Sequence, residues 1–415
     1  MSFLLCKEDF MTQERLQKKV GVPGIAAIML ISSLTVMVGN AITPALPELG
    51  RVYGLGNYAS WLVTAPALGV VATAIIFGKL IDRIGPYWVA LLGLLFYGLF
   101  GVGGAYMPSA LAIFIDRFLL GAATAAIMNA SVALIAAFFQ GEKQLKMIAM
   151  QGMSMEFGGV IFLSISGVLA DVSWRSPFYI YGLGFLALLM LLLFIPKSGR
   201  AAMEDGAGEE GAAAENQGVP LALVLLIAFL GMLMFFTAMV SLPIHLQTKL
   251  GYSPSFTGYY LAALDLVAVL AAGFMPKIVS RFQPKGCLFA AFCFYGIAFL
   301  LYFLSGAAVV LWIAVFFAGM GFGFSTPLFN SLVVNKSTPE KKGTNISFCT
   351  MAMFAGQFLS ALLVSAVAGT KLFLVAGLLA LVIAACILPV AGKYAQKHRI
   401  SNINGDHFHD PGQRA

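Results

Sequence analysis

The sequence predicts an all-α polytopic membrane protein, with twelve transmembrane helices in two pseudo-symmetric six-helix bundles. Three observations predict this fold class. Of the 415 residues, 60% are hydrophobic and only 10% are charged, against about 25% charged in a soluble domain. Apolar runs long enough to cross a bilayer recur along the chain. The two halves also repeat at a constant offset. Soluble enzymes, nucleic-acid-binding proteins, disulfide-rich secreted domains and disordered chains are therefore poor interpretations.

Twelve apolar runs are the predicted membrane spans, because a spanning helix needs about 20 apolar residues. The first six runs are Val22–Asn40, Tyr58–Leu80, Tyr87–Met107, Ala110–Phe139, Met147–Ala170 and Pro177–Ile195. The last six are Leu221–Leu246, Thr257–Pro276, Gly286–Leu304, Ala307–Val334, Ile346–Gly369 and Leu372–Ala391.

The runs divide the chain into an N-terminal tail (residues 1–21), an N-terminal bundle (22–195), a linker (196–220), a C-terminal bundle (221–391) and a C-terminal tail (392–415). The linker is rich in Ala and Gly and carries five acidic residues, which is typical of a solvated connection.

The basic residues predict the orientation. With the N-terminus in the cytoplasm, the tails and inside loops hold 20 Lys and Arg residues and the outside loops hold 4. The positive-inside rule therefore predicts a multi-pass protein of the cell membrane, with both termini cytoplasmic. The net charge of +7 is spread between apolar runs, so no nucleic-acid partner is expected. The five cysteines have neither a disulfide pattern nor metal-ligand spacing.

An internal repeat supports the two-bundle plan. An offset of 198 residues aligns Gly78–Pro86 with Pro276–Pro284, and it also pairs Gly121 with Gly319 and Gly158 with Gly356. Two bundles that run in the same direction are a known plan of secondary transporters, whose substrate site lies near the midplane between the bundles.

Two motifs resemble those of a known family. They are Gly78-x-x-x-Asp82-Arg83-x-Gly85 after helix 2 and Arg117-x-x-x-Gly121 on helix 4. On these motifs, residues 20–392 resemble the major facilitator superfamily, and most of all its twelve-helix drug:proton antiporter branch. The resemblance implies a monomeric proton-coupled efflux antiporter for a small organic molecule, without a cofactor. It also implies that Gly78, Asp82, Arg83 and Gly85 form a cytoplasmic gate.

The antiporter motif of helix 5 departs from the family pattern. It falls on Gly158 through Gly167, and Phe162-Leu163 replaces its central Gly-Pro pair. A proton-coupled uptake symporter therefore stays open as an alternative. Two further alternatives also stay open. One is an exporter of a metal-chelating metabolite such as a siderophore, and the other is a transport-inactive receptor or scaffold. No nucleophile–base pair or nucleotide-binding loop stands out, so the protein is not expected to be an enzyme.

Charges within the spans are the first candidates for proton coupling, because a charge at the bilayer centre costs about 2.5–3.5 kcal/mol on insertion scales. These residues are Asp116, Arg117, Glu156 and Asp265. We expect Glu156 and Arg117 to face a water-accessible gap, where a carboxyl group can bind and release a proton. The alternative for each is a structural contact between helices, with Asp116 as the counter-charge of Arg117.

Polar and methionine side chains on several helices are candidates for the substrate cavity. Amides and imidazoles supply directed contacts, and methionine adapts to varied apolar shapes. The candidates are Asn40, His245, Gln247, Asn330, Gln357, Met153 and Met351.

Overall fold

The computed structural model describes residues 20–197, 220–304, 306–337, 342–367 and 369–387, and its regular secondary structure in these ranges is helical throughout. Most of the predicted N-terminal tail and linker, and all of the predicted C-terminal tail, lie outside the described residues.

Each predicted run corresponds to a helix. The N-terminal bundle contains α1 (Val22–Val52), α2 (Trp61–Ile84), α3 (Pro86–Tyr106), α4 (Ala110–Phe138), α5 (Gly141–Val172) and α6 (Ser176–Phe194). The C-terminal bundle contains α7 (Leu221–Lys249), α8 (Pro254–Met275), α9 (Pro284–Leu304), α10 (Ala308–Val333), α11 (Thr344–Ala366) and α12 (Lys371–Ile387). Eleven are long and apolar enough to cross a membrane, and α12 is a shorter apolar helix at the last described residues.

Consecutive helices run in opposite directions, which gives the molecule two ends. We call the end at which α1 begins the near side and the opposite end the far side. Helical geometry continues from Pro254 to Leu304 through the predicted break between α8 and α9. Because Tyr260 Oη nevertheless lies 3.4 Å from Tyr302 Oη, α8 and α9 are antiparallel neighbours.

The tight connection between α2 and α3 depends on Gly85. Its φ of +86° lies in a region that favours glycine, and Gly85 both ends α2 and precedes α3. Pro86 then occupies the first position of α3, where a missing N–H costs no helical hydrogen bond. The sequence motif 78–85 is therefore at the near end of α2, as predicted.

The sequence repeat reappears in the packing. A Cβ on Gly121 of α4 would lie 2.0 Å from the Pro66 carbonyl oxygen of α2. A Cβ on Gly319 of α10 would lie 2.7 Å from the Leu264 carbonyl oxygen of α8. Since Pro66 and Leu264 are also separated by the repeat offset, the same close contact is built once in each bundle.

Each bundle has its own apolar core. Buried tyrosines fix neighbouring helices by donating to backbone carbonyls. In the N-terminal bundle, Tyr97 donates to Leu34 at 2.6 Å and Tyr181 donates to Val38 at 2.7 Å. In the C-terminal bundle, Tyr260 donates to Leu311 at 2.7 Å.

The glycine contact yields a stability prediction. We expect Gly121→Ala to lower the free energy of unfolding by about 1–3 kcal/mol, because the new methyl group would force α4 away from the α2 backbone. Gly152→Ala in α5 is the matched control, since its Cβ would meet nothing within 4 Å. The thermal stability of both variants in detergent measures the difference. Equal stability would contradict the close approach of α2 and α4.

Candidate functional site

The two bundles meet along α5 and α8. A Cβ on Gly167 of α5 would lie 2.8 Å from Gly258 Cα of α8, so the two backbones are in direct contact there. Val160 and Leu163, on the same face of α5, pack in the core of the C-terminal bundle. This face of α5 is therefore the N-terminal bundle's contact with its partner.

Asp265 of α8 reaches across this contact. Its side chain is 5% exposed, and its Oδ2 lies 2.6 Å from the point where a Cβ on Gly159 would be. Asn40 Nδ2 of α1 lies 3.3 Å from the same point. Helices α1, α5 and α8, from both bundles, thus come together where Gly159 has no side chain. Asp265 Oδ1 has no hydrogen-bond partner among the described residues.

Glu156 joins this cluster from the N-terminal bundle. It is half-buried and lies one turn of α5 before Gly159, the residue over which Asp265 lies. One further turn toward the near side, Gly152 is exposed and has open space beside it. The two carboxyl groups therefore lie where the packed interface gives way to a gap on the near side.

Arg117 and Asp116 lie elsewhere, within the N-terminal bundle. The Arg117 side chain is fully buried and donates to Asp116 Oδ2 at 2.7 Å and to the Phe100 carbonyl oxygen at 3.1 Å. Its guanidinium also lies 5.0 Å from the Phe178 ring centroid and 5.2 Å from that of Tyr181. These contacts favour the alternative hypothesis of a packing ion pair, because they enclose the guanidinium in protein.

Asp116 and Arg117 occupy adjacent helix positions, which point about 100° apart. They nevertheless pair directly, since the long Arg117 side chain curls back and its Nε also donates to Asp116 Oδ2 at 3.0 Å.

The predicted cavity residue Gln357 lies near the cluster, and Met351 lies on the same helix. Gln357 of α11 is 3% exposed, and its Nε2 is 3.9 Å from the Cβ position of Gly39, next to Asn40. Met351 is half-buried, and it lies two helical turns before Phe358, whose ring packs edge-on against Trp61 of α2. Both residues are thus on the side of α11 that meets the N-terminal bundle.

Met153 is 54% exposed and lies two helical turns before Val160, on the face of α5 that meets the C-terminal bundle. The other three predicted cavity residues lie elsewhere. Asn330 is exposed on the near half of α10. Gln247 donates to the Pro44 carbonyl oxygen at 2.7 Å, which makes it a contact between the bundles on the far side. His245 lines a separate far-side cleft.

The predicted gate at the near side is not engaged. Asp82 and Arg83 are exposed, and neither forms an ion pair with a described residue. Gly78 has open space where its Cβ would be. In this conformation the gate residues therefore do not join the bundles.

The far side, in contrast, is closed by hydrogen bonds that the sequence did not reveal. Trp61 Nε1 donates to Ser365 Oγ at 2.9 Å, and Ser365 Oγ donates to the Asn57 carbonyl oxygen at 3.1 Å. At the start of α8, both the hydroxyl and the backbone N–H of Ser255 donate to the Asp171 carboxylate of α5. The bundles are consequently joined on the far side, whereas on the near side the described residues Gly78 and Gly152 have open space beside them.

Comparisons with known proteins agree with this architecture. The sequence model of the Major Facilitator Superfamily matches residues 28–361. The chain belongs to this superfamily. A structure of a bacterial homologue of the human lysosomal transporter Spinster, in an inward-facing and occupied conformation, superposes with a TM-score of 0.73 at 16% identity, covering 89% of this chain and 96% of that one.

Two curated relatives are resistance proteins. The class B tetracycline resistance protein of Escherichia coli is 24% identical over 71% of this chain and 76% of its own length. A puromycin resistance protein of Streptomyces alboniger is 28% identical over 44% of this chain, and the match spans only 37% of that protein's length.

The Asp171 contact yields a conformational prediction. The carboxylate caps the α8 N-terminus across the interface, and loss of such a cap costs about 1 kcal/mol. We therefore expect Asp171→Ala to shift the ratio of far-open to far-closed molecules by about fivefold. Spin labels at exposed Tyr106 of α3 and Val309 of α10 report the far-side distance by pulsed electron paramagnetic resonance.

Glu48→Gln is the control, because the half-buried Glu48 pairs with Arg51 within one bundle. If both variants gave the wild-type distance distribution, Asp171 would have no role in far-side closure.

Proposed function

We propose that this member of the major facilitator superfamily is a proton-coupled secondary transporter, which exports a small organic molecule by alternating access between its two bundles. The observation that carries the proposal is the placement of Asp265 of the C-terminal bundle beside Gly159 and Asn40 of the N-terminal bundle, one turn of α5 from Glu156. The near side is the cytoplasmic side in this proposal, on the strength of its excess of Lys and Arg.

The electrostatics of the cluster favour proton binding. Two negative charges held close together in a water-poor site disfavour each other, and burial disfavours each charge further. A nearby cation would offset the repulsion between the two carboxylates. Arg117 is the buried basic side chain within the described spans, but it is paired with Asp116. The cluster therefore favours holding at least one proton, or the positive charge of a substrate, while the far side is closed.

The same geometry gives a route to coupling. Asp265 is enclosed only because α5 packs against α8 through Gly159, Gly167 and Gly258. Separation of the bundles on the far side would admit water to both carboxyl groups, which would then exchange protons with that side. A rocking motion thus changes the proton affinity of the cluster, and proton binding in turn biases the motion.

The direction of transport in this proposal is export, which the two relatives named for antibiotic resistance support. Uptake by proton symport is the second candidate, since Phe162-Leu163 occupies the motif positions of α5 where antiporters of this family carry Gly-Pro, and Leu163 is packed in the opposite core. A metal-chelating metabolite is an alternative cargo. A transport-inactive scaffold is disfavoured, because it would have no use for the buried Asp265 and the half-buried Glu156.

Proteoliposomes with an imposed pH gradient test the proposal. With tetracycline or puromycin as probe compounds, we expect Glu156→Gln and Asp265→Asn each to reduce probe-driven proton movement to the level of protein-free liposomes, because an amide cannot carry the proton. Glu142→Gln is the matched control, as Glu142 is an exposed acid of the same helix.

Proton movement opposite to the probe indicates antiport, and movement with it indicates symport. Wild-type proton coupling in both folded variants would exclude these carboxyl groups from the mechanism. If the wild-type protein gave no proton movement with any probe tried, the result would favour the scaffold hypothesis.

A second prediction concerns the space over Gly159. A methyl group there would lie 2.6 Å from Asp265 Oδ2 and must displace it. We expect Gly159→Ala to slow transport by roughly tenfold or more, since overpacking costs about 1–3 kcal/mol and each 1.4 kcal/mol changes a rate tenfold. Gly152→Ala, where the methyl group meets no neighbour, leaves the rate unchanged. Equal rates for both variants would show that the position of Asp265 is unimportant.

A further inference from the structure

The far half of α1 holds an amide in a fixed place beside the carboxyl cluster. Asn40 lies between two backbone groups that are tied to neighbouring helices. Tyr181 of α6 donates to the Val38 carbonyl oxygen at 2.7 Å. Ser166 of α5 donates to the Ala41 carbonyl oxygen. These bonds fix the backbone on both sides of Asn40, so the place of its side chain is set by α5 and α6.

The Asn40 side chain itself has no such partner. It is 5% exposed, and its amide forms no hydrogen bond with a described residue. Asp265 of the other bundle is also 5% exposed, and its Oδ1 has no hydrogen-bond partner among the described residues. Buried polar groups without partners are unusual in native proteins and call for an explanation. Here two of them lie side by side, one in each bundle.

Gly159 leaves these two groups next to each other. Asn40 Nδ2 lies 3.3 Å and Asp265 Oδ2 lies 2.6 Å from the point where a Cβ on Gly159 would be. Because glycine has no Cβ, the α5 backbone places no side chain between the amide and the carboxyl group. A small rotation of either side chain therefore brings the two groups within hydrogen-bond distance.

Few other charges surround Asp265. Glu156 lies on α5, one turn before Gly159. The neighbouring helices carry no Asp, Glu, His, Lys or Arg over the described residues 22–47 of α1, 221–244 of α7, 286–304 of α9, 308–333 of α10 and 344–366 of α11. The Asn40 amide is therefore the group of α1 that can respond to the charge of Asp265.

An amide can bind a carboxyl group in either protonation state. Its oxygen can accept from the O–H of the acid, and its nitrogen can donate to the carboxylate. The second bond is the stronger, because one partner carries a charge. A hydrogen bond to the charged form of an acid favours that form. An amide beside Asp265 therefore lowers the proton affinity of this residue.

We propose that Asn40 is a positioning residue that sets the proton affinity of Asp265 across the contact between the bundles. Its amide donates to the carboxylate once the proton has left, so that the ionised Asp265 gains a partner in the enclosed site. Without this donor, Asp265 would release its proton only at a higher pH. The role rests on the proposed proton coupling through Asp265, but the hydrogen bond itself can be tested without transport.

Infrared difference spectroscopy of the full-length protein in proteoliposomes measures this proton affinity directly. The absorption of a protonated carboxyl group that is lost in Asp265→Asn belongs to Asp265, and its pH titration gives a midpoint. Asn40→Leu has a side chain of similar size without the amide. We expect its midpoint to lie about one pH unit above that of the wild type, because loss of a hydrogen bond to a charged group changes the proton affinity about tenfold.

Asn129→Leu is the matched control, because Asn129 Nδ2 donates to the Ala74 carbonyl oxygen at 2.8 Å within the N-terminal bundle. This variant should lose thermal stability and keep the wild-type midpoint. Asn40→Ala removes the same amide with a smaller side chain, and it should shift the midpoint in the same direction as Asn40→Leu. Equal midpoints in the wild type and the folded Asn40 variants would overturn the role of Asn40. An equal shift in Asn129→Leu, or a wild-type spectrum with no band that depends on Asp265, would also overturn it.

Transport gives a second readout. The near-side pH at which probe-driven proton movement is half-maximal should rise by about one unit in Asn40→Leu, because Asp265 then releases its proton at a higher pH. A slower rate at an unchanged half-maximal pH would indicate a merely structural role and overturn the proposal. Full coupling in Asp265→Asn would instead overturn the proposed function, and the infrared midpoint alone would then decide whether Asn40 sets the proton affinity of Asp265.

Discussion

The contact of α5 with α8 is the constraint on which the functional arrangement depends. Gly159, Gly167 and Gly258 lack side chains where the two helices cross, so the backbones approach closely enough for Asp265 to reach the N-terminal bundle. In a membrane the association of helices gains little from the hydrophobic effect and depends on such close packing. A larger side chain at any of the three positions would separate the bundles and leave Asp265 without its enclosure.

The distribution of charge follows from the same constraint. A buried ion must be paired or face water, and both arrangements occur in this protein. Asp116 and Arg117 neutralise each other among the aromatic rings of one bundle. Glu156 and Asp265 have no such partner and lie at the edge of a gap. The first pair is stable in any arrangement of the bundles, whereas the environment of the second changes whenever the bundles move.

Features fixed by local sequence could be predicted, and features fixed by side-chain direction could not. Apolar length predicted the helices, and the repeat predicted the matching contacts of Gly121 and Gly319, because both depend on spacing along the chain. The placement of Asp265 beside Gly159, one turn from Glu156, was missed, since the repeat-mates of the two acids are Phe354 and Ala67 and symmetry gives no hint of it.

The far-side closure combines hydrogen bonds with apolar packing, and this has a thermodynamic consequence. Hydrogen bonds from Trp61, Ser365, Gln247 and Ser255 each contribute about 0.5–1.5 kcal/mol net, and the rings of Trp61 and Phe358 pack beside them. One pH unit corresponds to about 1.4 kcal/mol per proton, which is of the same order as one of these hydrogen bonds. In the proposed mechanism, protonation of a carboxyl group therefore cannot break the closure by itself. It decides which side is open only if new contacts replace the lost ones as the bundles move, so that the two conformations differ by no more than the energy of a proton.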